Sequence, residues 1–134
     1  MIHDALQLAE HDVSWLAIRQ PAVMRLLERE LGATRGMSDG DAFSAGLALA
    51  CSVLGGTARL GDLRLDHHAL ATGMAAVRAG RCDRAMTRSI RDQIEELNVV
   101  LTPVEQDAVA TVIAAVIWAV LDSSVRQLDD TLVA

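Results

Sequence analysis

The chain contains no tyrosine and no lysine, and its only aromatic residues are Trp15, Phe43 and Trp118. Each shortage excludes something. The aromatic residues that favour strands are missing, which points away from a β-rich core. A stacking platform for single-stranded nucleic acid cannot be assembled from so few rings. Two cysteines, Cys51 and Cys82, do not make a disulfide framework. Cys51 lies in an apolar stretch with no electropositive neighbours in sequence, so it reads as a small hydrophobe rather than a nucleophile. No basic segment followed by an apolar stretch comes after Met1, so no secretory leader is expected, and the sequence reads as cytoplasmic.

Chemical signatures are short as well. The glycine-rich Gly55-Gly56-Thr57-Ala58-Arg59-Leu60-Gly61 lacks the Lys-Ser/Thr ending of a phosphate-binding loop, and it reads as a helix stop and a turn. There is no Gly-x-Ser-x-Gly elbow. The acids Glu28, Glu30, Glu95, Glu96, Glu105 and Asp107 do not form the Glu-x-x-His pairs of a di-metal bundle. No catalytic residue and no cofactor is therefore assigned, and the sequence leans away from an enzyme.

What remains is rich in Ala, Val, Leu, Ile and Met: 51% of the 134 residues are hydrophobic. Alanine has the best helix propensity and lets helices approach closely. A chain of this length buries on the order of 68% of its unfolded surface, enough for a core. The expected fold is all-α: one domain over 1–134, a compact bundle of about five to six helices. Net charge is −6, which argues against general nucleic-acid binding but not against a local basic patch.

Start and stop signals place the helices. One runs from about Asp4 to Arg19; Pro21 kinks or restarts it, and the second piece ends at Leu31 with Gly32 as its stop. Met24, Leu27 and Leu31 line its dry face, and Arg25, Glu28, Arg29 and Glu30 are its wet residues. A loop over 33–40 offers Ser38 or Asp39 as a cap for an apolar helix from Asp41 to Leu54. After a connector over 57–65, Asp66 caps a helix to Ala79, stopped by Gly80. Asp83 caps the next, through about Asn98. The last helix starts at Pro103 behind Thr102, with Glu105 completing a capping box, and runs to near Asp129.

This last helix carries Ala108 to Leu121, apolar except for Thr111. Fourteen helical residues span about 21 Å, short of the roughly twenty residues of a membrane span. The run therefore predicts a central helix wrapped in protein, with no membrane. Two helices are apolar almost all round, and each has a stripe of small residues four apart: Ala42, Gly46 and Ala50 in one, Thr111, Ala115, Ala119 and Ser123 in the other. Either they form a central pair or one is shared across a homodimer. The expectation is a homodimer whose interface includes Gly46, Ala50, Ala115 and Ala119.

Two polar features stand out. Arg81, Arg84, Arg88 and Arg91 are spaced 3, 4 and 3, within an arc of about 80° on a helix. They face away from Met86, Ile90, Ile94 and Leu97. The plain reading is a solvated face with Arg88–Asp92 and Arg91–Glu95 pairs at i,i+4. The functional reading is a strip that binds carboxylates or phosphates bidentately. The other feature is His67-His68 at a helix start. Adjacent residues point about 100° apart, so they are weak metal candidates unless His3, His11 and Asp12 join them. These features predict a small non-enzymatic interaction or regulatory protein. Its partner is another protein, acidic or a second copy of the chain. The alternatives are a nucleic-acid or nucleotide-phosphate binder through Arg81–Arg91, and a metal-dependent helical enzyme around His67 and His68.

Overall fold

Local capping chemistry sets both ends of the helix behind Asp66 and the start of the helix behind Thr102. The computed structural model describes residues 16–32, 41–55, 64–81, 84–97 and 101–133. The expectations for residues 1–15, the caps Ser38 and Asp39, residues 57–63 of the connector and the Cys82-Asp83 start lie outside these. Five α-helices follow one another among the described residues: α1 (Pro21–Leu27), α2 (Asp41–Gly55), α3 (His67–Arg78), α4 (Arg84–Glu96) and α5 (Pro103–Val133). None of the described residues is in a strand, and the fold is an all-α bundle.

A helical turn over 16–19 precedes α1. Gln20 lies between them in a non-helical conformation, as expected of a residue before proline. Its backbone N–H still donates to Leu16 and its carbonyl still accepts from Met24, so helical hydrogen bonds flank Pro21, which has no N–H to donate, on both sides. The Gln20 side chain is buried, and its Oε1 accepts from the backbone N–H of Leu65 at 2.9 Å, 45 residues away. That bond ties this junction to the residue just ahead of α3. α1 does not close as an ordinary α-helix. Its last turn widens into a π turn over Glu28–Gly32.

α3 starts and stops where its sequence says. Asp66 adopts an extended conformation and accepts from the Ala69 N–H at 2.7 Å. At the other end Gly80 has φ +75°, its N–H donates to Val77, and the N–H of Arg81 donates to Ala76. This 6→1 and 5→2 pair is a Schellman cap, and only glycine takes that left-handed position without strain.

α5 opens with a reciprocal capping box. Thr102 Oγ1 accepts from the Glu105 N–H at 3.2 Å, and Glu105 Oε1 accepts from the Thr102 N–H at 2.9 Å. Glu105 is fully buried, and its second oxygen has no hydrogen-bond partner among the described residues. Thr102→Ala is expected to lower stability by about 1 kcal/mol, while Thr102→Ser leaves it nearly unchanged. Chemical denaturation of the two variants checks this; equal losses would mean that the hydroxyl cap is not what matters.

α5 is the central helix. It packs against α1 with its π turn, and against α2, α3 and α4. Val109, Val112, Ile113, Ala115, Val116 and Ala119 are all buried to within 1%. Thr111, the polar interruption, turns its hydroxyl back to the Asp107 carbonyl at 2.7 Å. By length and composition alone, Pro103–Ser123 is long and apolar enough to cross a membrane, longer than the fourteen-residue run suggested. Just over half of its most apolar window is buried within the chain.

The stripes of small residues pack within one chain. Gly46 and Ala50 are buried in a single chain, and Gly46 lies against Leu27 and Leu31 of α1 and its π turn. Ala115 and Ala119 are fully buried. A Cβ on Gly73 of α3 would stand 2.6 Å from the Ala115 carbonyl oxygen. The small residues therefore let α2 approach α1, and α5 approach α3, inside one molecule.

Candidate functional site

α4 is the least covered helix. It presses Ile90 and Ile94 into the core, with Met86, Thr87 and Leu97 partly buried beside them, and leaves its other residues exposed. That division follows its apolar spacing of four and four. The arginine strip is shorter than its spacing implies. Arg81 is not on α4 at all, because its backbone closes the Schellman cap of α3. Arg91 is exposed but engaged: its Nη2 donates to Asp107 Oδ1 on the first turns of α5. Neither expected i,i+4 pair, Arg88–Asp92 or Arg91–Glu95, forms. Arg84 and Arg88 remain, one turn apart, exposed, and in no ion pair among the described residues.

The histidine pair stands on the first turn of α3, and both rings are exposed. His68 contributes its carbonyl to the Thr72 hydroxyl at 2.8 Å. Among the described residues, no group of three or more His, Cys, Asp or Glu side chains comes together. The suggested companions His3, His11 and Asp12 lie outside them.

His67 does join a different set of residues. α1 and the start of α3 frame a cleft of about 660 Å³. Its floor is Ala22, Leu26 and Leu70, all buried. Its rim carries Arg25, Arg29 and His67, with Glu28 beside them. Arg25 and Arg29 are one turn apart, so they project from the same face. Arg29 Nε lies 3.4 Å from Glu30 Oε1, and the other Glu30 oxygen lies 3.6 Å from Arg78 of α3. One carboxylate is thus shared by two guanidinium groups. No carboxylate pairs with Arg25 among the described residues. The sequence offered Arg25 and Arg29 only as solvated positions. Their i,i+4 spacing was visible, but the apolar floor comes partly from α3, some forty residues later.

No protein-family model, curated protein or solved structure matches this chain.

Proposed function

We propose that this chain is a non-enzymatic interaction module that binds an acidic protein surface through Arg84 and Arg88 of α4. One observation carries the reading. Two arginines one turn apart stand on the least covered helix with no acidic partner among the described residues, while Arg91 of the same helix is held by Asp107. Guanidinium groups suit this work because each presents a rigid fork of donors to a carboxylate. Both sit near the N-terminus of α4, where the helix dipole disfavours cations. The fold thus gains little from them, and a partner's carboxylates would gain more. A second copy of the chain, with net charge −6, is itself an acidic partner. The reading therefore extends to a homodimer held through α4.

The test compares the wild type, Arg84→Gln/Arg88→Gln and Arg91→Gln by fluorescence anisotropy. The probes are a labelled oligoglutamate peptide and a mixed-sequence DNA duplex, each across a salt series. The double variant should keep its melting temperature, since exposed ion pairs contribute about 0–1 kcal/mol each. It should bind oligoglutamate about fivefold more weakly, a loss of about 1 kcal/mol. Arg91→Gln should bind like the wild type. Unchanged binding in the double variant overturns the proposal. DNA binding with a steep salt slope, reduced by about one per lost arginine, replaces the acidic protein with nucleic acid.

A further inference from the structure

The geometry points to a second, separate site: the cleft between α1 and α3 binds a small amphiphilic carboxylate, its head on Arg25 and Arg29 and its aliphatic body on Ala22, Leu26 and Leu70. The first argument is shape. A cleft of about 660 Å³ lies within the range of about 300–1,000 Å³ typical of small-molecule sites. Those sites combine an apolar lining with a few convergent polar groups. Here the three floor residues are apolar and buried, and the polar groups all stand on the rim.

The second argument is charge. The chain as a whole is acidic, yet the cleft wall carries two guanidinium groups and a histidine against one carboxylate, Glu28. Two described acids next to the cleft residues in sequence are committed elsewhere. Glu30 is divided between Arg29 and Arg78, and Asp66 caps α3 by accepting from Ala69. Arg25 has no carboxylate partner among the described residues, so a ligand carboxylate meets an unoccupied fork. Charge-assisted bidentate pairs of this kind are the strong ones. His67 closes the α3 side of the rim and offers a further donor.

The third argument is the division between head and body. An inorganic anion uses the arginines but leaves the rest of the cleft to water. A neutral alcohol covers the floor but leaves Arg25 unpaired. Only a molecule with both parts uses the whole cleft, and each CH₂ it removes from water adds to its affinity. A chain of several methylenes therefore binds much more tightly than its head group alone.

The experiment titrates the full chain with sodium octanoate, octanol and inorganic phosphate by calorimetry, and follows the backbone amides of α1 and α3 by NMR. Octanoate should bind saturably at one site and shift the amides of residues 22–29 and 67–71. Octanol and phosphate should each bind at least tenfold more weakly. Arg25→Gln/Arg29→Gln should weaken octanoate at least tenfold. Ala71→Glu, which places an acid at an exposed cleft position, should do the same without loss of fold. Arg84→Gln/Arg88→Gln should bind octanoate normally, which separates this site from the α4 surface. The inference is overturned if octanoate binds without saturation, if octanol or phosphate matches it, or if the Arg25/Arg29 variant binds as well as the wild type.

Discussion

Gly73→Leu is expected to abolish the folded state, and Gly73→Ala to cost about 1–2 kcal/mol with a drop in Tm of about 5 °C. In an isolated helix, alanine is better than glycine by up to about 1 kcal/mol. Here the sign reverses, because the new Cβ would stand 2.6 Å from the backbone oxygen of Ala115. A backbone atom in a buried helix cannot rotate away, so α3 and α5 must separate along their shared face. Gly46 provides the control. A Cβ there would collide with Leu31 Cδ1 and stand 3.1 Å from Leu27 Cδ2, both the far ends of flexible side chains. Pushing Leu31 off its rotamer costs about 0.5–1.5 kcal/mol, which the helix propensity of alanine roughly offsets. Gly46→Ala should therefore be close to neutral. Thermal melts of the two alanine variants decide it: equal destabilisation would show that the close approach of α3 to α5 is not what requires Gly73. Ala115→Arg is expected to unfold the chain, because it buries a charge at a fully enclosed position.

Gln20→Met should lower stability by about 1–3 kcal/mol, although it nearly preserves side-chain volume. The reason is the partner left behind. Leu65 is buried to 1%, and its N–H donates to Gln20 Oε1. A thioether is a weak acceptor, so a buried donor loses its hydrogen bond. Arg19→Gln, one residue away and exposed, should be neutral. Urea denaturation gives the stability difference, and hydrogen exchange locates it. The Leu65 amide should exchange slowly in the wild type and much faster in Gln20→Met. A variant with unchanged midpoint and unchanged Leu65 protection would remove Gln20 from any part in joining α1 to α3.

The readable features of this fold are those whose causes lie within a few residues. Asp66 and Ala69 are one turn apart, the Schellman cap spans six residues, and Thr102-Pro103-Glu105 completes its box locally. Each was legible because capping depends on nearby backbone geometry. The spacing of Ile90 and Ile94 likewise placed α4 with one face in the core. Residues that act across the fold were misread or passed over. The small stripes were recognised as sites of close approach, but a stripe does not say what approaches it. Gly73 stands alone in its helix, and a lone mid-helix glycine is a packing signal only once the facing carbonyl is known. The π turn at Glu28–Gly32 has no marker in its composition. Arg91 has an acid four residues on, yet its partner is Asp107, because the start of α5 lies beside α4. The cleft was illegible for the same reason: its floor and rim are shared between two helices distant in sequence.

That α5 touches every other helix has a consequence for synthesis. A ribosome makes the chain from its N-terminus, at about 5–20 residues per second. Residues 16–97 emerge before the helix that organises them. Until Ala119 and Val120 leave the exit tunnel, α1, α2 and α3 have apolar faces and no common scaffold. Their packing is thus deferred until α5 has been made, and a nascent chain stalled before α5 leaves those faces uncovered.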